Sequence, residues 1–333
     1  MAEPSTMALF WAGVIAGSIL IYVILDGFDL GVGILSGTAP TRSLRDRMIA
    51  TIAPVWDGNE TWLVVIGASL FAAFPAVYAV FLGASYLPVL LMLAGLVFRG
   101  VAFEFRHRSR HRKDLWDRAF CWGSTVVAFV QGAAVGALMR GVPVADGQFD
   151  GGPFDWLHPF SVLTGIGLVA GYALLGAGWL MLKGEGALRD WAAGRVFWLG
   201  LAVLAVLGPA VAAAMLLDLS DGLQQAAARF GVPSLICAGI SFYALLGVIA
   251  MARAHWDWLP FALTALAFAA AFATLGTLMW PYMIPYGLTV AQAAAPEASL
   301  RFLFYAGAVA LPVVLVYTIG VYWVFRGKSG DGY

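Results

Sequence analysis

Long apolar runs alternate with short polar punctuation along the whole chain. Read by run length and by Gly and Pro breaks, they predict membrane-crossing helices at about residues 8–36, 57–78, 80–100, 118–139, 159–182, 195–217, 233–251, 259–281 and 302–325. Each run approaches the roughly 20 residues that an α-helix needs to cross a hydrocarbon core about 30 Å thick. A membrane β-barrel would instead alternate over segments of about ten residues. Phe74-Pro75 and Gly83 separate the second run from the third. The pattern therefore predicts an all-α polytopic membrane protein of nine transmembrane helices. It forms a single integral membrane domain over 1–333, with no length left for an extramembrane domain.

Composition narrows the function classes. Of 333 residues, 62% are hydrophobic and 11% charged, against about 25% charged in an average soluble domain. A soluble enzyme, a nucleic-acid binder and a disordered linker are excluded. The formal net charge is zero, but the charges are not evenly placed. With the loop after the first run on the cytoplasmic side, sixteen of the nineteen Lys and Arg, Arg99 among them, fall on that side. Arg140, Arg229 and Arg301 fall on the other, with Asp146, Asp150, Asp155, Asp218, Asp221 and Glu297. The positive-inside rule then predicts an N-terminus on the outer side and a C-terminus on the cytoplasmic side. That orientation requires an odd number of crossings.

The segment before the first run carries no Lys or Arg, so that run is expected to be a retained helix rather than a signal peptide. Cys121 and Cys237 fall near opposite leaflets and are not expected to pair. Trp11, Trp156, Trp256, Trp258, Trp280, Tyr282 and Tyr286 sit near run ends, as interfacial anchors do. Gly165, Gly167, Gly171, Gly176 and Gly178 line the fifth run, where small residues allow close helix packing. Gly208-Pro209 and Pro312 mark helix-bending positions.

The informative charges are acids inside or at the mouths of the runs. Asp26 and Asp29 stand at i, i+3 near the end of the first run, on one helix face. Asp26 lies about 27 Å along that helix at 1.5 Å per residue. A carboxylate at that depth costs a few kcal/mol unless it is paired, hydrated or protonated. Asp57 and Glu60 repeat the spacing at the start of the second run, in Trp56-Asp57-Gly58-Asn59-Glu60-Thr61-Trp62. They also fit a capping box, with Asp57 as N-cap and Glu60 at N3. The predicted topology brings Asp26, Asp29, Asp57, Glu60, Asn59 and Trp56 together at the cytoplasmic mouth of one helix pair. Proton relays use such acid chains, and so do cation sites in transporters. Arg99 and Glu104, at the inner end of the third run, are candidates for a structural ion pair.

His107, His111, His158 and His255 all fall outside the predicted spans. No C-x-x-C-H, Walker A, G-x-G-x-x-G or H-E-x-x-H pattern occurs. Nothing in the residues assigns a metal, a catalytic group or a directly bound cofactor to this chain. Three readings stay open at this point: a proton-conducting subunit, a proton- or cation-coupled secondary transporter, and a purely structural subunit.

Several stretches resemble a known family. Asp26-Gly27-Phe28-Asp29-Leu30-Gly31-Val32-Gly33, Pro54-Val55-Trp56-Asp57-Gly58-Asn59-Glu60-Thr61-Trp62-Leu63 and Phe71-Ala72-Ala73-Phe74-Pro75 are similar to subunit II of the cytochrome bd-type quinol oxidases. So are Phe98-Arg99-Gly100, Phe103-Glu104-Phe105-Arg106, and Ala273-Thr274-Leu275-Gly276 through Trp280-Pro281-Tyr282 and Pro285. The resemblance covers nearly the whole chain, and Asn59-Glu60-Thr61-Trp62 is similar to the cyanide-insensitive branch.

The resemblance implies a nine-helix, non-haem-ligating subunit of the bacterial inner membrane, with a periplasmic N-terminus and a cytoplasmic C-terminus, paired with a homologous subunit I. That partner carries three haems, of b and d type or of b type only, together with the quinol site. The complex oxidises ubiquinol or menaquinol and reduces dioxygen to water with protons from the cytoplasm. By motif, Asp26 and Asp57 would line the proton path toward the oxygen-reducing haem. A structural quinone or lipid in this subunit, and small single-span accessory subunits, occur in some members.

Overall fold

The computed structural model of the chain describes residues 3–109, 111–216, 231–252 and 256–328. The expectations placed on Asp218, Asp221, Arg229 and His255 lie outside the described residues. The first half runs α1 (Thr6–Ser36), α2 (Arg42–Ala50), α3 (Trp56–Ala73), α4 (Pro75–Ala84), α5 (Tyr86–Arg108) and α6 (Lys113–Arg140). A small hairpin of β1 (Val144–Ala145) and β2 (Gln148–Phe149) follows. The second half runs α7 (Pro159–Lys183), α8 (Ala187–Leu216), α9 (Val232–Met251) and α10 (Leu259–Met279). A second hairpin, β3 (Tyr282–Ile284) with β4 (Leu288–Thr289), leads through α11 (Val290–Ala293) to α12 (Glu297–Val324).

Among the described residues, eight helices are long and apolar enough to cross a membrane, and α3 with α4 makes a ninth candidate. That pair is bent by 120°. The expected second span, 57–78, therefore stops at Ala73, and the expected third span, 80–100, becomes α5, which starts at Tyr86 and continues to Arg108. Proline explains the break. Pro75 cannot donate to the preceding turn, and it drives Phe74 out of the helical region to φ −137°, ψ 62°. α2 is an extra short helix in the loop after α1, capped by Thr41, whose side chain accepts from Leu44 N.

α1 is the hub, packed against α3, α6 and α7. α7 in turn meets α6, α8 and α10, while α12 lies along α3 and α1. Glycines set these distances. A Cβ on Gly31 would lie 1.8 Å from Tyr172 O, and one on Gly176 would lie 2.5 Å from the Gly31 carbonyl carbon. The two backbones are in direct contact, as small residues allow between membrane helices. Gly165, Gly171 and Gly178 seat Phe129, Phe268 and Phe261 in the same way.

The two ends of the bundle carry different ties. At one end Ser5 Oγ donates to Glu297 Oε2 at 2.7 Å, and Trp11 Nε1 donates to Leu300 O at 3.1 Å. α1 and α12 thus start side by side and run in the same direction, as an odd number of crossings requires. Trp11 and Trp156 are buried, so they are packing residues rather than the interfacial anchors expected from position. Trp256, Trp258 and Trp280 are exposed.

At the other end an ionic staple holds α2 to α5 and α6. Arg106 pairs with both Asp46 and Asp117, and Arg45 reaches Asp117 at 2.9 Å. A second tie clasps the end of the chain. Lys183 Nζ donates to the Phe325 and Gly327 carbonyls, and Asp257 accepts from Lys328 at 2.5 Å and from Arg189 at 2.9 Å. Burial alone would push the Asp257 carboxyl up, but the Lys328 and Arg189 hydrogen bonds outweigh it and hold the group below its ordinary value.

Two outcomes follow from this packing. Gly31→Val forces the α1 and α7 backbones apart and should cost at least the ~1–3 kcal/mol of an overpacked core. It will show as a lower thermal midpoint of the purified protein in detergent. Asp257→Asn should speed tryptic cleavage after Arg326 and Lys328 at neutral pH. Because the folded Asp257 value is depressed, its contribution is present above about pH 4 and is lost as pH falls through the lower folded value.

Candidate functional site

Three elements place charge in the interior. α1 brings Asp26 and Asp29, both fully buried, one turn apart on the face that meets α3. α3 brings Asn59, buried, and Glu60, whose side chain keeps 26% exposure. α5 brings Arg99, fully buried.

Arg99 Nη1 donates to Asp26 Oδ1 at 2.8 Å and to Glu60 Oε1 at 2.7 Å, and Nη2 lies 3.8 Å from Asp29 Oδ2. One guanidinium thus faces three acids. Arg99 suits the task because its fork reaches several oxygens at once and it keeps its charge when buried. Asn59 completes the arrangement, donating from Nδ2 to Asp29 Oδ2 at 2.7 Å and to Leu25 O at 3.3 Å. Its carbonyl accepts from the Tyr322 hydroxyl of α12 at 2.9 Å.

A polar thread leaves this cluster through the apolar bundle. Tyr22 stands one turn before Asp26 on α1 and is buried. Gln131 Nε2 of α6 donates to the Tyr22 hydroxyl oxygen at 2.8 Å, and the Tyr172 hydroxyl of α7 donates to Gln131 Oε1 at 2.9 Å. Asp26 Oδ2, Asp29 Oδ1, and Arg99 Nε and Nη2 are buried without a hydrogen-bond partner among the described residues. Buried polar atoms of this kind are rare in a finished core.

The sequence-predicted residues divide clearly. Asp26, Asp29, Asn59 and Glu60 come together. Trp56 stands beside them, its ring 4.9 Å from that of Phe103 and against Gly100. Asp57 lies in the first turn of α3 and is exposed, one turn from Glu60. It is not the helix cap: Val55 holds that position, and no side chain caps the end. The capping box is therefore absent, because the helix begins two residues earlier than that motif requires.

The expected Arg99–Glu104 pair is also corrected. Five residues on a helix turn the side chains about 140° apart, so Arg99 points into the bundle and Glu104 is exposed. Nor is Arg99 a loop charge, since α5 runs nine residues beyond it to Arg108. Tyr22, Gln131, Tyr172 and Tyr322 were not foreseen. A glutamine in the middle of an otherwise apolar run was the one available signal.

Among the described residues no group of three or more His, Cys, Asp or Glu could hold a metal ion. His158 caps α7, its Nδ1 accepting from Phe160 N, and His111 is exposed in the loop between α5 and α6.

The fold and the site define a multi-pass membrane protein with an acid–guanidinium cluster sunk among its helices. The chain belongs to the family of cytochrome bd terminal oxidase subunit II, whose sequence profile matches residues 7–325. It is thus a subunit of an oxidoreductase complex of the bacterial inner membrane. It is 28% identical to the cytochrome bd-I ubiquinol oxidase subunit 2 of Escherichia coli strain K12, over 98% of this chain and 96% of that one. It is 30% identical to the cytochrome bd ubiquinol oxidase subunit 2 of Bacillus subtilis strain 168, over 96% and 95%. Its fold matches a chain of the bd oxidase from Geobacillus thermodenitrificans with a TM-score of 0.77 at 16% identity, covering 97% of this chain and 98% of that one.

Removing one partner from a buried ion cluster leaves charge uncompensated and costs roughly 3–5 kcal/mol. Arg99→Met should lower stability by about that amount in thermal unfolding. Adding Asp26→Asn to it should recover part of the loss, because one stranded carboxylate is then neutral.

Proposed function

We propose that this chain is the non-haem-ligating subunit II of a respiratory quinol:dioxygen oxidoreductase. It scaffolds a haem-bearing subunit I and supplies a proton pathway from the cytoplasm for reduction of dioxygen to water. The partner's haems carry the electrons. This chain contributes side chains that hold and move protons. The family match supports the assembly. The observation that carries the proton role is the buried cluster in which Arg99 meets Asp26, Asp29 and Glu60.

Asp57, exposed in the first turn of α3, is the entry. Glu60, one turn further and partly exposed, receives from it, and Arg99, Asp26, Asp29 and Asn59 form the interior. Trp56 shields the mouth by packing on Phe103. In this reading the end of the bundle carrying Arg45, Arg106, Lys183 and Lys328 faces the cytoplasm, and the start of α1 faces the periplasm. Carboxylates suit the task because a proton moves on and off them without covalent rearrangement, and the guanidinium keeps at least part of the cluster ionised.

Asp57→Asn and Asp26→Asn in the purified two-subunit complex should slow quinol-driven oxygen uptake by about tenfold or more. The haem spectrum should keep its wild-type intensity per complex. Full turnover in both variants at normal protein levels would remove the proton role from this site.

A further inference from the structure

The hydrogen bonds around the acids have a direction, and the direction separates their roles. Gln131 is oriented by Met92, whose thioether Sδ lies 3.8 Å from Nε2 and can only accept. The Gln131 carbonyl is thereby turned to Tyr172, whose hydroxyl donates to it, and Nε2 donates to the Tyr22 oxygen. Tyr22 thus accepts from Gln131 and keeps its own proton to turn toward Asp26, one turn on along α1, whose Oδ2 is buried without another partner. Donors therefore run one way, from Tyr172 through Gln131 and Tyr22 to Asp26.

A second chain behaves alike. Asn59 Nδ2 sits on Leu25 O, which can only accept, so its carbonyl faces Tyr322 and its amide faces Asp29. Donors run from Tyr322 through Asn59 to Asp29.

A proton placed on Asp26 Oδ2 would compete with the buried Tyr22 hydroxyl for the acceptor toward which that hydroxyl can turn. A proton on Asp29 Oδ2 would oppose the Asn59 amide. Glu60 has no such chain. It accepts from Arg99 Nη1, a donor it shares with Asp26, and its side chain alone among the three keeps contact with the exterior. The charged and titratable groups around it are Arg99 from α5, Asp26 and Asp29 from α1, and Asp57 on its own helix.

We infer that Glu60 is the carboxyl that takes up and releases the transported proton, and that the Tyr172–Gln131–Tyr22 and Tyr322–Asn59 chains hold Asp26 and Asp29 as fixed anions. Glu60 becomes neutral on accepting a proton from the Asp57 side. It returns to carboxylate against Arg99 as the proton passes on toward the partner subunit. Tyr22, Gln131 and Tyr172 are positioning residues in this scheme. The inference rests on the proton-pathway reading above, and its test separates the two.

The purified two-subunit complex is titrated by infrared difference spectroscopy in the carboxylic-acid C=O region, beside the pH profile of quinol-driven oxygen uptake. Glu60→Gln should remove the titrating carboxylic signal and lower turnover about tenfold. Glu60→Asp should retain a signal at a shifted midpoint and recover part of the rate. Asp26→Asn and Asp29→Asn should keep the Glu60 signal. Tyr22→Phe frees Asp26 to bind a proton, so a second carboxylic signal should appear and the turnover midpoint should move. A residue that only fills space would not produce that signal.

Loss of the signal in Asp26→Asn or Asp29→Asn, with its retention in Glu60→Gln, overturns the assignment even where turnover falls. Tyr22→Phe without a second signal overturns the donor-chain argument. Normal turnover in all the acid variants, with the infrared signal still following Glu60, defeats the pathway and leaves the protonation assignment standing.

Discussion

A guanidinium buried among three carboxylates is the constraint on which the rest of this structure depends. A single charge at such depth costs several kcal/mol, and an unequal cluster can persist only where every partner is held in reach. Arg99 is held by α5, Asp26 and Asp29 by α1, and Glu60 by α3. Those three helices must keep their relative heights and rotations, or the cluster loses its compensation. The close contact of Gly31 with α7 and the ionic staple from α2 to α5 and α6 help to fix them.

The same constraint explains why α1 is the hub. It supplies two buried acids, so every neighbour must bring polar groups to it or seal it from lipid. α3 brings Asn59 and Glu60, α6 brings Gln131, α7 brings Tyr172 and α12 brings Tyr322. Phe28, between the two acids in the chain, is buried and stacked on Trp179 of α7 at 4.0 Å. The 120° bend at Phe74 lies at the far end of α3 from Glu60. It limits α3 to 18 residues, and its first turn carries Asp57 at the exposed mouth.

Most of the bundle was legible because spanning a hydrocarbon core demands a long apolar run, and such runs are local in the chain. α1, α6, α7, α9, α10 and α12 begin and end near their expected limits. Where a limit failed, a charge or a proline was responsible. A lone arginine normally ends a span, and the third run was expected to stop beside Arg99, but α5 continues because that arginine is neutralised by acids from other helices. Pro75 broke the second run earlier than its hydropathy suggested.

The site was legible in part for the same reason. Acids in an apolar stretch announce themselves, so Asp26, Asp29, Asn59 and Glu60 could be named from their positions. Their partners could not. Arg99 is 39 residues from Glu60 and 73 from Asp26, and Tyr322 is 263 from Asn59. The local pattern instead suggested Glu104 for Arg99, which helix rotation forbids.

What the sequence by itself determined was membrane crossing and the places where charge would be costly, because the expense of burying polarity depends on each residue and its immediate run. What only the tertiary structure decided was how that expense is met. Neutralisation and hydrogen bonding are contacts between distant helices, and their direction exists only once the side chains face one another.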